Sequence, residues 1–392
     1  MIPLDVALQI VDGFAASTSV GTETIDIRNS AGRVLAADAV SKLSLPPFNK
    51  SAMDGYAVMA DDERDEYQVL EFIAAGSVPA KPLKPGTASK VMTGAPVPEN
   101  AGKVIMVEFT EQTGGKIRVT KHSDKPNICI KGEDIKPGDI ILKAPAKLGP
   151  LETANLISTG ISEVQVYKKI RVAVISTGDE IVNNPAMLTD GKIMDSNGPL
   201  LEGLCEKHSL EVTSLQTVKD DRKTTVKAIK AAMDTSDIVI LTGGVSMGDM
   251  DFVDTAMNDL GLKVHFNRVA VKPGKPMTFA SAENKAVFGL PGNPVSVYLM
   301  FHLFVLPAAE KICGLQPPQI TQLPISEDFK RKKTDRTLYA PAEITPLGKL
   351  KPIKYHGSAH LLALTKADGF FIVEKGTSEI NQNEKVKFMR VK

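Results

Sequence analysis

Cysteine is scarce in this chain, and its scarcity argues against two kinds of architecture. The 392 residues contain three cysteines, Cys129, Cys205 and Cys313, which lie far apart and form no CxxC pair. A disulfide framework usually needs an even set of cysteines, and a structural zinc site needs closely spaced ones. We therefore expect neither, and a reducing, cytoplasmic setting fits this composition.

The chain also lacks an excess of charge of either sign. Its 47 Lys and Arg residues are balanced by 46 Asp and Glu residues, which leaves a formal net charge of +1. A protein that coats nucleic acid normally carries a basic surplus, so that class is disfavoured. Local basic clusters in a neutral chain can still bind small anions.

The sequence has no apolar run that predicts a membrane span. Residues 286–309 carry no charge, but the Pro-Gly-Asn-Pro turn at 291–294 divides them. About fifteen apolar residues then remain, whereas a span needs about 20. The N-terminus carries Asp5 and no basic segment of a signal peptide. We expect a soluble protein with a buried helix that begins near Pro294.

Two common phosphate-binding motifs are missing from the α/β part of the chain. From about residue 170 to 313, apolar strands alternate with helices, which predicts a doubly wound, mostly parallel sheet. No Gly-Lys pair is followed by Ser or Thr, and no GxGxxG occurs. The domain is therefore neither an ordinary P-loop NTPase nor a dinucleotide-binding Rossmann domain.

The sequence outside this region predicts further domains, so the expected fold class is multidomain α/β. Short strands broken by Gly and Pro precede the α/β region, with a clear hairpin at Gly114-Gly115. Helical patterns flank this β-rich insert, and the chain ends in strands. The predicted boundaries are a discontinuous helical domain (1–40 and 144–168), an inserted β-rich domain (41–143), the α/β domain (169–315) and a C-terminal β domain (316–392).

Four loops of the α/β region concentrate glycine and charge where its predicted strands end. They are "STGDE" (176–180), "LTGGVSMGDMD" (241–251), "VKPGKP" (271–276) and "GLPGNPVS" (289–296). Ligands of open α/β sheets bind beyond the carboxyl ends of the strands. Gly243 and Gly244 alone are more typical of a plain turn. Together, the four loops favour a phosphate cradle.

Charged side chains in these loops suggest the ligands of the crevice. We expect Asp179, Glu180, Asp249 and Asp251 to meet there, and clustered carboxylates near phosphates usually hold Mg²⁺. The alternative is that Asp249 and Asp251 lie in the first turn of a helix, where its dipole favours them. Lys272 and Lys275 flank a rigid Pro-Gly turn and can converge on one anion.

A further stretch, "PPFNKSAMDGYAV" at 46–58, places one carboxylate in unusual surroundings. Turn residues usually have polar neighbours, but Asp54-Gly55 is flanked by Met53 and Tyr56. A stiff, apolar turn that carries a single carboxylate needs a functional reason.

Eight motifs in order along the chain closely resemble the molybdopterin molybdenumtransferase family, which includes MoeA and the gephyrin E domain. They are "PPFNKSAMDGYAV", "MTGAPVP", "GEDIKPGD", "STGDEI", "DSNGPLL", "TGGVSMGD", "VKPGKP" and "GLPGNPVS". The resemblance implies that the α/β domain is of the molybdopterin-binding type and that the C-terminal domain is β-barrel-like. It also implies a homodimer whose active cleft lies between subunits.

The activity implied by this resemblance is a step of molybdenum cofactor biosynthesis. Family members insert molybdate into adenylylated molybdopterin with Mg²⁺-dependent release of AMP. The partners implied are the pterin substrate, a molybdopterin adenylyltransferase and molybdoenzyme acceptors, with no nucleic acid or membrane. The alternatives are a paralogue that uses tungstate and a non-enzymatic molybdopterin-binding carrier or scaffold. Single-domain molybdopterin adenylyltransferases, which share the α/β module, lack the β insert.

The resemblance also implies roles for individual residues. The catalytic positions would be Asp54, Thr93, Asp134, Glu180 and Asp251. The metal ligands would come from Glu180, Asp220, Asp221, Asp249 and Asp251, with Asp220 and Asp221 as alternatives for one position. Molybdate and pterin-phosphate contacts would be Gly243, Gly244, Ser246, Lys272, Lys275, Pro291, Pro294, Ser296 and Ser358.

Three departures from the family pattern alter charge near the implied anion site. The family usually has Asp-Asn at Asn49-Lys50, a basic residue near Cys129 and an Arg near Pro341. Lys131 and Arg336 are the neighbours that could substitute.

Overall fold

The chain divides into two compact units. The computed structural model describes residues 1–244, 253–316, 320–355 and 357–392. The first unit comprises Met1–Glu23, Gly32–Ala36 and Val166–Lys392, and the second comprises Thr24–Ala31 and Ala37–Gln165. The finer division into four domains stays a prediction.

The described residues contain seven α-helices. They are α1 (Leu4–Ser17), α2 (Pro150–Ser158), α3 (Asn197–Lys207), α4 (Arg222–Thr235), α5 (Val253–Asp259), α6 (Pro294–Met300) and α7 (Leu306–Ile312). A π-helix, Phe301–Val305, joins α6 to α7. The resulting segment Pro294–Ile312 is long and apolar enough to cross a membrane, but 78% of its most apolar window is buried inside the protein. The predicted buried helix is confirmed, and Pro294 is at its first turn.

Thirty short and medium strands alternate with these helices in the described residues. Before residue 170 the strands are β1 (Thr22–Asp26), β2 (Val34–Leu35), β3 (Ala39–Val40), β4 (Lys50–Ser51), β5 (Gly55–Met59), β6 (Glu66–Ile73), β7 (Thr87–Val91), β8 (Ala101–Met106), β9 (Thr110–Thr113), β10 (Lys116–Val119), β11 (Ile128–Cys129), β12 (Ile140–Leu142), β13 (Ala146–Lys147) and β14 (Glu163–Tyr167). The α/β region contains β15 (Arg171–Thr177), β16 (Ile181–Val182), β17 (Ile193–Met194), β18 (Glu211–Val218), β19 (Ile238–Thr242), β20 (Lys263–Arg268), β21 (Val271–Lys272), β22 (Pro276–Ala282) and β23 (Lys285–Leu290). The C-terminal strands are β24 (Thr321–Pro324), β25 (Phe329–Lys330), β26 (Thr337–Ile344), β27 (Leu350–Pro352), β28 (Gly369–Val373), β29 (Glu379–Ile380) and β30 (Lys385–Arg390).

The main sheet of the first unit has six strands in the order β18-β15-β19-β23-β22-β20. The first four run parallel, with Val172 opposite Ile238 and Ile240 opposite Phe288. Strands β22 and β20 complete the sheet in antiparallel pairing. The predicted mostly parallel, doubly wound sheet is therefore confirmed.

Alternate residues of the parallel strands fill two separate cores, one on each face of the sheet. Val172, Val174, Ile238 and Ile240 face a core that includes side chains of α3 and α6. The intervening residues Ala173, Ile175, Val239 and Leu241 face a core built with α4 and α5. Successive side chains of a strand point to opposite faces, so these runs are apolar throughout. Full burial of each Val, Ile or Leu contributes about 1.5–3 kcal/mol.

The C-terminal strands of the first unit form a second sheet in the order β21-β26-β28-β30-β24, with β27 paired to β26. Phe371 and Phe388 are fully buried in its core. Strand β21 belongs to this sheet, because Val271 and Lys272 pair with Thr337 and Leu338.

The second unit contains a six-stranded sheet in the order β8-β5-β7-β6-β10-β9. Tyr56 and Tyr67 are 1% exposed in its core. The predicted hairpin joins β9 to β10, and Gly114 and Gly115 have φ angles of +55° and +80°. Two consecutive positive φ angles are what a tight two-residue hairpin turn requires.

Candidate active site

A cavity of about 590 Å³ opens at the carboxyl ends of β15, β19 and β23. The predicted loops "STGDE" and "GLPGNPVS" and the described part of "LTGGVSMGDMD" converge on it, and Pro276 of "VKPGKP" contributes to its wall. Its lining residues are Ser176, Thr177, Glu180, Ile181, Ile193, Met194, Asp195, Ser196, Asn197, Thr242, Gly243, Gly244, Pro276, Pro291, Gly292, Asn293, Pro294 and Ala359.

Gly243 and Gly244 bring the backbone after β19 close to the neighbouring loop. Their φ angles are +91° and +61°, in the left-handed region that favours glycine. A Cβ atom on Gly243 would lie 2.3 Å from the carbonyl oxygen of Thr177. Only glycine fits here without displacing β15.

Asn197, at the start of α3, ties the loops around this cavity together. Its Nδ2 atom donates to Thr242 Oγ1 at 3.0 Å and to the carbonyl oxygen of Gly292 at 2.7 Å. Asp195 accepts from the backbone N–H groups of Asn197 and Gly198 at 3.1 and 3.0 Å, which fixes the start of the helix. No role for Asn197 was predicted from the sequence, although the residue belongs to the motif "DSNGPLL".

Three buried polar atoms of the cavity residues have no hydrogen-bond partner among the residues that the structure describes. They are Ser176 Oγ, Thr177 Oγ1 and Asn197 Oδ1, and these residues are 2%, 4% and 9% exposed. A buried polar atom without a partner costs about 1–3 kcal/mol. A ligand rich in hydrogen-bonding groups would remove this cost when it enters the cavity.

The acidic residues near the cavity separate into two roles. Burial raises the pKa of Asp220, and the carboxylates of Glu180 and Asp179 raise it further. Asp221 instead caps α4: its Oδ2 accepts from Thr224 N–H and Oγ1 at 2.7 Å each, and these bonds lower its pKa. Asp220, rather than Asp221, is therefore the residue whose pKa is raised by the neighbouring carboxylates.

Glu180 lies near enough to Asp220 for its charge to raise the pKa of Asp220. A cation between such carboxylates would relieve their mutual repulsion. Within the described ranges, no three His, Cys, Asp or Glu side chains are grouped to hold a metal ion by themselves. Two carboxylates completed by water and substrate phosphate oxygens are a usual environment for Mg²⁺. Ser246, Asp249 and Asp251, also predicted here, lie outside the described residues.

The remaining predicted anion contacts occupy different positions around the cavity. Pro291 and Pro294 line it. Lys272 and Lys275 are exposed on either side of the turn before Pro276, and neither is among the lining residues. Ser296 is 2% exposed and lies in the first turn of α6.

Ser358 is held against the Pro-Gly-Asn-Pro turn by two hydrogen bonds. Its Oγ atom accepts from Asn293 Nδ2 at 2.8 Å, and its carbonyl oxygen accepts from the N–H of Val295 at 3.0 Å. The next residue, Ala359, lines the cavity. The C-terminal loop therefore contributes to the wall of the cavity.

In the second unit, Asp54 is exposed and paired with Thr93. Its Oδ1 atom accepts from the N–H of Thr93 at 2.7 Å and from Thr93 Oγ1 at 2.8 Å. These two hydrogen bonds lower the pKa of Asp54. Gly55 fixes the turn, because a Cβ atom there would lie 2.1 Å from the carbonyl oxygen of Ile105. The turn therefore presents at the surface a carboxylate whose ionised form is favoured by its bonds to Thr93.

The predicted residue Asp134 is exposed in a segment tied to the stretch 46–58 and its preceding residue Leu45. Its backbone N–H donates to the carbonyl oxygen of Leu45 at 3.0 Å. Cys129 pairs with Lys50 across β11 and β4. Asn49 Oδ1 accepts from the N–H of Lys131 at 2.8 Å. Asn49, Lys50 and Cys129, where the sequence departs from the family pattern, therefore help to hold segments 49–50 and 129–131 together.

Pro341, the remaining departure from the family pattern, lies in the C-terminal sheet and is buried in β26. Arg336 Nη1 donates to the carbonyl oxygen of Val271 at 3.2 Å, beside the backbone of Lys272. The guanidinium group of Arg336 is therefore close to the segment that carries the predicted anion-binding lysines.

Comparisons with known proteins cover almost the whole chain. Residues 2–160 match the family model for the MoeA N-terminal region (domain I and II), residues 173–311 that of a probable molybdopterin binding domain, and residues 322–391 that of the MoeA C-terminal region (domain IV). A molybdopterin molybdenumtransferase of Staphylococcus aureus is 37% identical over 388 residues, covering 96% of this chain and 92% of the relative. This chain belongs to the molybdopterin molybdenumtransferase family.

Solved structures agree with this assignment. The crystal structure of a molybdopterin biosynthesis MoeA protein from Pyrococcus horikoshii OT3 matches with a TM-score of 0.84 and 30% identity, covering 100% of both chains. A Staphylococcus epidermidis molybdopterin molybdenumtransferase is 35% identical over 90% of this chain and 87% of its own length. The resemblance, the multidomain fold and the class of transferase in molybdenum cofactor biosynthesis are confirmed.

Proposed function

We propose that this protein inserts molybdate into adenylylated molybdopterin with Mg²⁺-dependent release of AMP. The observation that carries the proposal is the cavity at the carboxyl edge of the main sheet (the carboxyl-edge cavity). A glycine turn, the carboxylate of Glu180 and buried polar atoms without a partner among the described residues meet there, and Asp220 is near enough for Glu180 to raise its pKa. A phosphorylated pterin offers a matching combination of hydrogen-bonding groups and negative charge. The membership of the chain in the family supports the same reaction.

The phosphate end of the substrate would bind against the backbone at Gly243 and Gly244. No side chain there blocks close approach of an anion. The polar ring edges would bond to Ser176 Oγ and Asn197 Oδ1, which have no partner among the described residues. Pro291 and Pro294 would give the opposite wall a fixed shape, and Ser296 would act through the first turn of α6.

Glu180 and Asp220 are the described residues proposed to hold Mg²⁺. Burial, and after it the charges of Glu180 and Asp179, raise the pKa of Asp220, and a cation held between these carboxylates would relieve that repulsion. Bound there, Mg²⁺ would neutralise the pyrophosphate bridge of the substrate. Asp249 and Asp251 are proposed as further ligands on family resemblance, whereas the capping bonds of Asp221 favour a structural role.

Lys272, Lys275 and Ser358 are the proposed contacts of the molybdate substrate. Two lysines next to a cavity wall raise the local concentration of an oxyanion. The hydrogen bond from Asn293 fixes Ser358 Oγ beside the cavity-lining residue Ala359. These groups would compensate the charge of the oxyanion as it approaches the substrate.

Asp54, Thr93 and Asp134 are proposed to complete the catalytic site from the second unit of a partner subunit in a homodimer. Several large apolar side chains of this unit are exposed, as expected for a surface that packs against another subunit. They are Leu43, Phe48, Ile130, Ile140, Leu151 and Ile157, which are 42–76% exposed. The proposed setting is the cytoplasm, where the adenylyltransferase product and the acceptor enzymes would be available.

AMP release from adenylylated molybdopterin tests this function. The assay compares reactions with and without Mg²⁺, and with molybdate against tungstate. Release that requires both Mg²⁺ and molybdate is expected, whereas preference for tungstate would identify the paralogue. Tight pterin binding without AMP release would contradict the proposal and indicate a carrier.

A matched pair of variants tests the role of Asp54. Asp54→Asn removes the charge but can still accept the bonds from Thr93, and we expect AMP release to fall at least about 100-fold. The control is Glu71→Gln, since Glu71 is likewise a carboxylate that accepts two hydrogen bonds, from the backbone N–H groups of Ala80 and Lys81 at 3.1 Å each. Equal activity of the two variants would remove Asp54 from the catalytic site.

A further inference from the structure

The first unit contains a second polar cavity, of about 760 Å³, at the other edge of the main sheet. Arg171, Glu211 and Lys285 are the first residues of β15, β18 and β23, and Asp237 directly precedes β19; all four line this cavity. Its opposite wall is formed by segments 18–21 and 168–170. We name it the amino-edge cavity, and it shares no lining residue with the carboxyl-edge cavity.

The amino-edge cavity has an excess of positive charge, although the chain as a whole is nearly neutral. It has five cationic lining side chains and three acidic ones, which leaves an excess of two positive charges. The cationic residues are Arg33, Lys168, Lys169, Arg171 and Lys285, and the acidic ones are Glu23, Glu211 and Asp237.

Ion pairs hold the frame of the cavity in place. Arg33 is 8% exposed, and its Nη2 atom donates to Glu23 Oε1 at 2.5 Å and to the carbonyl oxygen of Tyr167 at 2.7 Å. Arg171 donates from Nη2 to Asp237 Oδ1 at 2.8 Å and from Nε to Asp237 Oδ2 at 3.3 Å. Within each pair the opposite charges neutralise each other, and the hydrogen bonds hold the two arginine side chains in place.

Lys285 is held by a hydrogen bond from its Nζ atom to the carbonyl oxygen of Ser236 at 2.7 Å, whereas the two other lysines of the lining, Lys168 and Lys169, are not held in this way. Neither has a side-chain ion pair or hydrogen bond within the part of the chain that the structure describes. The side chain of Lys168 extends over Gly21: a Cβ atom on that glycine would lie 3.6 Å from Cδ and 3.9 Å from Nζ. The side chain of Lys168 therefore lies along the part of the cavity wall formed by Gly21.

We propose that the amino-edge cavity binds a dianionic tetrahedral oxyanion, either an inorganic ion or the phosphate monoester of a small molecule. The two unpaired lysines match two negative charges, and the fixed arginines can share their remaining N–H groups with the same oxygens. The concave shape favours a small anion over a flat macromolecular surface. This site is independent of the reaction proposed for the carboxyl edge.

Isothermal titration calorimetry of the full chain tests the proposal with inorganic phosphate, molybdate and AMP as probes. Lys168→Gln/Lys169→Gln removes the two unpaired charges and is expected to weaken binding at least about tenfold, because each charge-assisted bond contributes substantially to affinity. The control is Lys227→Gln/Lys230→Gln, which removes the same charge from exposed positions of α4 outside the cavity.

Both double variants leave the carboxyl-edge cavity unaltered, so a difference in binding between them reports on the amino-edge cavity. Weaker binding in the cavity variant alone supports the proposal; equal binding in the two variants, or no saturable binding to the wild type, overturns it. For the binding that the cavity variant weakens, a higher affinity for AMP than for phosphate identifies a phosphate monoester as the ligand, and the reverse identifies an inorganic oxyanion. Equal melting temperatures of the two variants show that the fold is retained.

Discussion

The two edges of the main sheet differ in how completely their polar and charged groups are paired. At the carboxyl edge, Ser176 Oγ and Asn197 Oδ1 are buried without partners among the described residues, and burial and neighbouring carboxylates raise the pKa of Asp220. At the amino edge, Arg171 and Asp237 satisfy each other through several hydrogen bonds. The carboxyl edge therefore has buried groups that a ligand can stabilise, whereas the ion pair at the amino edge is stabilised by the protein itself.

The largest expected effect is that of a methyl group added at the carboxyl edge. Gly243→Ala places a Cβ atom 2.3 Å from the carbonyl oxygen of Thr177 at a φ of +91°, and we expect a loss of about 2–3 kcal/mol in the free energy of unfolding. AMP release should fall at least about 100-fold, because the displaced loop lines the cavity.

Gly203→Ala is the matched control for this substitution. Gly203 lies in α3 and has no atom within 4 Å of its Cβ position. Alanine there is expected to stabilise the protein by about 0.5–1 kcal/mol. Urea denaturation of both variants measures the contrast, and a mild Gly243→Ala phenotype would mean that the turn is not needed in this conformation.

The next effect distinguishes the two adjacent aspartates. Asp220→Asn is expected to raise the Mg²⁺ concentration for half-maximal AMP release at least about tenfold, because one ligand charge is lost. Stability without Mg²⁺ should be unchanged or higher, since the repulsion from Glu180 disappears. Asp221→Ala should instead cost about 1 kcal/mol of stability through the lost helix cap. A larger Mg²⁺ effect from Asp221→Ala would reverse the two assignments.

The smallest effect concerns stability at the amino edge. Asp237→Ala removes the partner of Arg171 and is expected to cost about 1–2 kcal/mol at neutral pH, with AMP release unchanged. Asp234→Ala, at an exposed position of α4, is the control and should change stability by no more than about 0.5 kcal/mol.

The pH dependence of this contribution follows from the charge of Asp237. Burial acts to raise the pKa of Asp237, but the hydrogen bonds from Arg171 outweigh it, and the net pKa is lowered. A lowered carboxyl pKa stabilises the fold above the ordinary value of about 4 and ceases to do so as the pH falls through the folded value. The difference between wild type and Asp237→Ala should therefore narrow below about pH 4, and a constant difference would show that the pair does not depend on the charge.

Much of the fold and part of the candidate site could be predicted from local patterns. The apolar runs of β15 and β19 predicted buried parallel strands, because a strand covered on both faces needs apolar residues throughout. Four loops that follow strands of the α/β region together predicted a crevice at the carboxyl edge, and residues of all four loops line the cavity there. The order of eight motifs predicted the family. Each of these signals lies within a few consecutive residues.

Contacts between distant segments could not be read in this way. Asp54 and Thr93 are 39 residues apart, and Asn197 and Gly292 are 95 apart. The choice between Asp220 and Asp221 depends on which carboxylate faces Glu180 and which one caps α4. Side-chain periodicity repeats within a few residues, so it can be recognised in the sequence. The pairing of remote charges and polar atoms depends instead on how the folded segments pack.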